Sequence, residues 1–590
     1  MAIHFGALGP LARDAWEAMA LGSPGSAAPR AIVRQWRSVD GMAQLGIAEG
    51  ECSRGRSALS ESADQLFVAA GVGSLEGTGD QDIATTVLQA WQRGGFDALR
   101  RLRGTYAVAV WDARERSLVV ACDALGLCAP AYRWDGRTFV FATRAMALAG
   151  TSDTAWNGTY VAHALSGILS SPTDATAFRG VSRLAAGEIL RVTDGCLVRL
   201  PGDRLAFNSD AETRGREPAV RTLGHRLDRA VETRRRGAGR VCVALSGGID
   251  SCVVASSLLR HAGSLECLSL VVGGASCASP APIDAVERAL PRAVVHRIEV
   301  AYTGPNLFDS LPIADDPIYA APATQRARAM LLRTAREMGH DDVFDGEGSD
   351  ELFDIAWRPV DLARQASWGP LVRGLVLPGS RRRLADDLFW SAASGLSGFR
   401  DWHIGRLARR LPWLRRAFWR ETFLRAAWQE ATTYLARRSA ADRLADVLGA
   451  HARYWRAQEL LRDSAGIAGQ SPFLDRAIVE FVGSLPARDA LHRVHRKPLV
   501  RALAEERVRG LNAWCPKREP LNDWLVGQVS SDPACMSIAV ERIRRSSLLS
   551  EWVDPGALEA TALRPSHHAA DIVQLFAFVE WADSVERRFG

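Results

Sequence analysis

The sequence predicts an α/β protein in two unequal parts. Three observations carry that reading. Residues 1 to about 205 hold short apolar runs broken by turns. From about 219 helical and strand patterns alternate, and after about 355 the patterns are helical to the end. At 590 residues the chain is too long for one core, so several domains or subdomains are expected.

In the first part, "YAVAVWD" (106–112), "SLVVACD" (117–123) and "RTFVFAT" (137–143) read as strands. "QDIATTVLQAWQRGG" (81–95) has helical spacing and a glycine stop. The polar stretch "NSDAETRGREP" (208–218) predicts a linker, which places the domains at 1–205 and 219–590. Beyond it, "VRTLGHRLDRAVETRR" predicts a helix, "RVCVAL" a strand and "SCVVASSLLRHAG" a helix. "LECLSLVV", "AVVHRIEV" and "DDVFDG" are further strands. Such alternation predicts a parallel, doubly wound sheet. Residues 355–460 read as a helical insertion. Its segment 401–430 carries aromatic and basic residues at helical spacing. That suits either an ordinary apolar stripe with solvated arginines or a docking face for a peptide or protein.

Composition narrows the class. Apolar residues make up 47% and charged residues 24%, as in an ordinary globular protein. A net charge of +6 permits an acidic partner or nucleotide without requiring nucleic acid. The N-terminal segment lacks the basic start and apolar core of a signal peptide. No run approaches the roughly 18 apolar residues of a membrane span. Ten cysteines include no CxxC pair, so neither a disulfide framework nor a zinc site is indicated. A cytoplasmic chain is expected. Of 73 basic residues only two, Lys497 and Lys517, are lysines. Genome bias explains an arginine-rich chain, yet a guanidinium does not replace a compact ammonium at a crowded site. "SHHAAD" (566–571) reads as a surface loop rather than a metal pair.

Two loops carry chemistry. "VALSGGIDSCVV" (243–254) runs a strand into Ser-Gly-Gly and out into a helix. Gly247 and Gly248 let the backbone approach a phosphate, and the helix N-terminus faces that anion. Ser246 and Ser251 add hydroxyl donors. Asp250 suits a magnesium ion that bridges phosphates. No Gly-Lys-Ser/Thr follows, so the loop is not of the Walker type. It resembles the PP-loop of ATP pyrophosphatases. The second loop, "VFDGEGSDELFD" (343–354), crowds Asp345, Glu347, Asp350 and Glu351 around Gly346 and Gly348. Like charges so close repel unless a cation or proton intervenes. Either the loop is simply solvated, or Asp350 is a second magnesium ligand and Glu347 faces the reacting groups.

"SGGIDS", "GEGSDELF", "SPFLDRAIVEFVGSLP" (471–486), "RKPLVRALAEERV" (496–508) and "WCPKREPLNDWL" (514–525) resemble, in order, the motifs of the asparagine synthetase superfamily. "FDALRRLRGTYAVAVWDARERSLVVACDALGLCAPAYRW" (96–134) is similar to that family's glutaminase domain. The resemblance implies an N-terminal Ntn-type αββα sandwich. A doubly wound PP-loop ATP pyrophosphatase domain with a helical C-terminal extension would follow. It also implies ATP and Mg2+, with Ser246, Gly247, Gly248, Asp250, Ser251, Gly346 and Lys497 at the nucleotide and Asp250 and Asp350 at the metal.

Departures from the pattern decide what is made. The family's glutaminase nucleophile is a cysteine at residue 2. Here Ala2 stands there, the first cysteine is Cys52, and Cys122 replaces an arginine of the motif. Such a domain is expected to release no ammonia. Two branches adenylate a carboxylate and close a ring with an amine of the same substrate: β-lactam synthetases and lasso peptide cyclases. The first typically carry tyrosine where this chain has Glu347. With the long insertion, the resemblance points to a lasso peptide cyclase with Glu347 as base and Lys517 as oxyanion stabiliser. A precursor peptide is then the substrate, and a leader peptidase and a leader-binding protein are the implied partners. A β-lactam synthetase-like enzyme and a non-catalytic scaffold remain as alternatives.

Overall fold

The computed structural model describes residues 3–9, 15–16, 19, 32–49, 57–76, 81–149, 155–158, 160–161, 174–207, 215–236, 238–272, 281–301, 304, 315, 322–355, 411–415, 440–492, 495–514, 521–550, 552–562 and 568–589. Two antiparallel six-stranded sheets form the N-terminal part. The first, in order β10-β8-β9-β1-β3-β2, is built from β1 (Ile3–Leu8), β2 (Ile32–Arg37), β3 (Ala43–Glu49), β8 (Ala131–Trp134), β9 (Phe139–Ala142) and β10 (Ser182–Arg183). The second, in order β12-β11-β7-β6-β5-β4, takes β4 (Ser57–Glu61), β5 (Phe67–Leu75), β6 (Gly104–Asp112), β7 (Ser117–Cys122), β11 (Glu188–Thr193) and β12 (Cys196–Pro201).

Strand alternation explains why the sheets stack. Along β6, Ala107, Ala109 and Trp111 join Leu45, Ile47 and Phe141 between the sheets, whereas Tyr106, Val108 and Val110 face outward. The outward face meets Ile83, Val87, Leu88 and Trp91 of helix α1 (Ile83–Leu99). The glycine stop expected at 95 is a break rather than an end. Gly95 adopts φ +52°, ψ −129°, and the helix resumes to Leu99, which is buried. Ile3, Phe5 and Ala7 of β1 face the other way, into a cluster shared with Met536, Ile543, Phe576 and Val579 near the C-terminus. The N-terminal part's own Met146, Leu148 and Tyr160 lie in the same cluster, so the two parts of the chain cover this face together.

That second part begins with helix α2 (Arg216–Arg236) and holds a parallel sheet, in order β15-β14-β13-β16-β17. Its strands are β13 (Val241–Ala244), β14 (Leu265–Val272), β15 (Ala293–Val300), β16 (Asp342–Phe344) and β17 (Ala468–Gln470). The sequence reading missed β17, since Ala-Gly-Gln has no β-branched or aromatic residue. Pairing with β16, through Val343 opposite Gly469, makes it a strand. The central strands are covered on both faces, as a doubly wound sheet requires, while the edge strand β15 is partly exposed. Val243, Cys267 and Phe344 pack with α2 and with α3 (Ile249–Leu258). On the opposite face Cys242, Leu268 and Val343 pack with α4 (Pro322–Glu337) and α5 (Ala440–Ser464). The chain moves outward from β13 to β15 and then returns to β16 on β13's other side. The carboxyl ends of β13 and β16 therefore flank a topological switch point, the usual ligand crevice of such sheets. Helix α6 (Pro498–Arg507) packs on α2 and α3, and four helices, α7 (Leu521–Ser530), α8 (Pro533–Arg545), α9 (Pro555–Ala562) and α10 (Ala569–Phe589), complete the chain. Among the described residues no helix is long and apolar enough to cross a membrane.

Candidate active site

The loop after β13 is shaped by one left-handed residue and two hydroxyls. Gly247 takes φ +74°, which glycine adopts without a Cβ penalty, and Gly248 caps α3. The Ser246 and Ser251 oxygens lie 3.1 Å apart. Ser251 donates to the Gly248 carbonyl at 3.1 Å, and the Gly248 N–H donates to Ser246 Oγ at 3.2 Å. The turn is thereby fixed with the α3 N-terminus at its mouth, where N–H groups and dipole favour a phosphate.

The loop after β16 lies directly against it. A Cβ on Gly346 would stand 2.8 Å from Asp250 Cβ and 3.0 Å from Ser251 N. Asp250 and Asp350, one from each loop, converge on Lys497. Its Nζ is 2.8 Å from Asp250 Oδ2 and 2.9 Å from Asp350 Oδ1, and Ser349 donates to Asp250 Oδ1 at 2.6 Å. Lys497 caps α6 with left-handed φ +54°, just ahead of Pro498. Burial alone would lower its pKa. The two aspartates outweigh that and raise it above the usual lysine value. Mg2+ commonly takes one or two carboxylates and fills its shell with phosphates and water. Asp250 and Asp350 fit that pattern. Among the described residues, no group of three His, Cys, Asp or Glu side chains is placed to hold a metal without such help.

Helix α5 grips the acidic loop from behind. His451, Tyr454, Gln458 and Arg462 recur at helical spacing and so share a face. Arg462 pairs with Asp345 and Glu459, and Ser471, just after β17, donates to Asp345 at 2.8 Å. Tyr454 Oη stands 3.5 Å from Glu347 Oε1, and Arg328 of α4 reaches the same oxygen at 2.7 Å. His451 Nε2 is 3.7 Å from Glu351 Oε1. Burial pushes the Asp345 and Glu351 carboxyls up, with Arg462 and His451 acting against it. Burial, reinforced by Glu347, also raises the Tyr454 phenol, which therefore stays neutral. Each of the four crowded acids is thus met by a basic side chain, although Asp350 stays about half exposed.

A family model described as asparagine synthase matches residues 222–582, more than half of the chain. The chain belongs to the asparagine synthase family. A glutamine amidotransferase domain model matches residues 74–199. The synthase domain makes this asparagine synthase-family chain an ATP-dependent amide-forming ligase. Together with the two stacked sheets, the second match gives the N-terminal part the Ntn-type glutamine amidotransferase fold. No curated protein matches the chain. Among solved structures it is similar to an allosteric regulatory enzyme of purine biosynthesis, at 11% identity over 51% of this chain and 82% of that one, with a TM-score of 0.24. It is also similar to glutamine phosphoribosylpyrophosphate amidotransferase from B. subtilis complexed with ADP and GMP, at 11% identity over 58% and 80%, with a TM-score of 0.23. Both are too distant to bear on the site.

Of the residues singled out in sequence, Ser246, Gly247, Gly248, Asp250, Ser251, Gly346, Glu347, Asp350 and Lys497 meet at the carboxyl ends of β13 and β16. Lys517, Ala2 and most of the insertion lie outside the described residues. The sequence reading did not single out Arg328, Tyr454, His451 or Arg462. The i, i+3, i+7, i+11 spacing from His451 was a visible signal, masked by the abundance of arginine around it. In "SHHAAD", His568 stands 3.7 Å from Asp571 one helical turn on. The N-terminal thiols Cys122 and Cys128 are buried and pushed up by burial, which makes them poor nucleophiles.

Proposed function

We propose that this ligase is a lasso peptide cyclase. It adenylates an Asp or Glu side chain of a precursor peptide and joins the acyl group to the peptide's N-terminal amine. The observation that carries the reading is Glu347. It lies three residues before Asp350 in the acidic loop after β16, where a β-lactam synthetase typically has tyrosine. Ala2 at the position of the family's nucleophilic cysteine, with Cys122 and Cys128 buried, supports an amine source other than glutamine.

In this reading Ser246, Gly247, Gly248 and Ser251 hold the β- and γ-phosphates while the peptide carboxylate attacks the α-phosphorus. Magnesium held by Asp250 and Asp350 would neutralise charge on the departing pyrophosphate. Lys497 keeps both carboxylates aimed at one point. The adenylate is then attacked by the neutral α-amine. Glu347 takes its proton, AMP leaves, and an isopeptide bond closes the ring. Lys517 stabilises the oxyanion of the tetrahedral intermediate. A leader peptidase and a leader-binding protein would deliver the substrate.

The test uses synthetic peptides with a free α-amine and one internal Asp or Glu, supplied with ATP and Mg2+. AMP release together with a product lighter by one water is expected. Asparagine formed from aspartate and ammonia would contradict the reading. AMP release only with a small amino acid would favour the β-lactam synthetase-like alternative.

A further inference from the structure

The base assigned above does not stand alone. Glu347 Oε1 accepts from Arg328 Nη1 at 2.7 Å and lies 3.5 Å from the Tyr454 hydroxyl. Both contacts fall on one oxygen. Oε2 has no partner among the described residues, and the side chain is 17% exposed. A general base needs this arrangement: one atom tethered to fix the direction, the other open to take a proton. The tether is itself braced. Arg328 lies over the Tyr454 ring at 5.7 Å and donates to Gln458 Oε1 at 3.0 Å. Gln458 donates in turn to Gln325 at 3.0 Å, one turn before Arg328 on α4. Both glutamines are buried. The chain from Gln325 to Glu347 thus links α4, α5 and the acidic loop through polar side chains, in a region where an unpaired polar group is costly.

We propose that Arg328, braced by Tyr454 and Gln458, is a positioning residue that holds Oε1 of Glu347 so that Oε2 faces the attacking amine. This rests on the reading of Glu347 as base. Arg328 does not touch the reacting atoms and takes no part in adenylation, for which the Asp250 side of the site is responsible. Losing it therefore separates the two half-reactions. The adenylate still forms, but a carboxylate free to rotate seldom meets the amine in the right orientation, and water competes for the acyl group. A misplacement of about 1 Å at a reacting group costs on the order of a hundredfold in rate.

The experiment uses the full-length chain and the synthetic acidic peptide that best supports AMP release. AMP and cyclised product are measured separately in Arg328→Gln, Arg328→Lys, Tyr454→Phe and Glu347→Gln. For Arg328→Gln the ratio of cyclised product to AMP is expected to fall about ten- to hundredfold, with the peptide KM little changed. Arg328→Lys should recover part of it, because an ammonium can still reach Oε1. Tyr454→Phe should fall between the two. An unchanged ratio in Arg328→Gln, with Glu347→Gln inactive in ring closure, overturns the positioning role and leaves the base intact. Equal losses of AMP and product in Arg328→Gln also overturn it, since they show a structural role only. Normal ring closure by Glu347→Gln removes the base itself and the inference with it.

Discussion

Asp250, Asp350 and Lys497 illustrate how one cation organises two loops. With Lys497 8% exposed, Asp250 23% and Asp350 48%, the trio is only partly shielded from solvent, so its worth to stability lies below the ~3–5 kcal/mol lost when a fully buried pair is broken. Its geometry matters more. Replacing Asp250 or Asp350 with Asn keeps the shape and removes one charge. Either variant is expected to lose AMP formation by about a hundredfold or more while unfolding near the wild-type temperature. AMP formation at the wild-type rate would remove that residue from the metal site. A second residue-scale effect comes from His4, fully buried in β1 against Phe141. Burial holds its pKa down at about 3, with the Ala107 backbone offsetting part of the effect. The folded state thus keeps His4 neutral where the unfolded chain binds a proton. The stability it confers is full above the unfolded value of 6.5 and is lost as pH falls toward 3. The slope is at most about 1.4 kcal/mol per pH unit. Denaturant titrations at pH 7, 6 and 5 should show that decline, and His4→Leu should flatten it. Equal slopes in the two proteins would contradict this assignment.

At the scale of elements, the site depends on two loops lying in contact. Gly346→Ala would push a methyl to within 2.8 Å of Asp250 Cβ and 3.0 Å of the Ser251 backbone nitrogen. Neither atom is the flexible end of a side chain. The loops must part, and ATP binding measured by calorimetry is expected to weaken about tenfold or more, since 1.4 kcal/mol of strain suffices for that. Unchanged affinity would show that the loops yield freely. These loops were legible in sequence because glycines, serines and acids at fixed spacing are local signals. So were β14 and β15, where apolar and β-branched residues recur along LECLSLVV and AVVHRIEV and gave both boundaries. Helix α5 was not legible in the same way. Its grip on the acidic loop is tertiary, and an arginine that pairs with Asp345 looks in sequence like any other. Strand β17 was hidden for a related reason: its partner β16 lies more than a hundred residues earlier, and pairing, not propensity, makes it a strand. Lys497 was legible as unusual, but its place between two carboxylates was not.

At the scale of the whole molecule, the two parts share one of their apolar clusters. Trp156 stacks on Phe178 in the N-terminal part and meets Trp581 of α10 at 5.4 Å, with its indole N–H donating to Glu586 at 3.1 Å. Arg476 joins Asp203, which Arg103 also holds, and Arg456 of α5 donates to the Gly126 carbonyl at 2.9 Å. The helix that grips the acidic loop on one side therefore rests on the amidotransferase-like part on the other. This gives that part a structural use that does not depend on ammonia supply. On the reading proposed above, the chain makes an acyl-adenylate at the switch point of the parallel sheet. The most direct measurement follows an oxygen atom. A peptide substrate whose acidic side chain carries a heavy-oxygen label in its carboxylate is turned over with ATP and Mg2+, and the nucleotide product is weighed by mass spectrometry. Attack on the α-phosphorus predicts one labelled oxygen in AMP for each amide bond formed. Label in inorganic phosphate, with ADP as the nucleotide product, would contradict it.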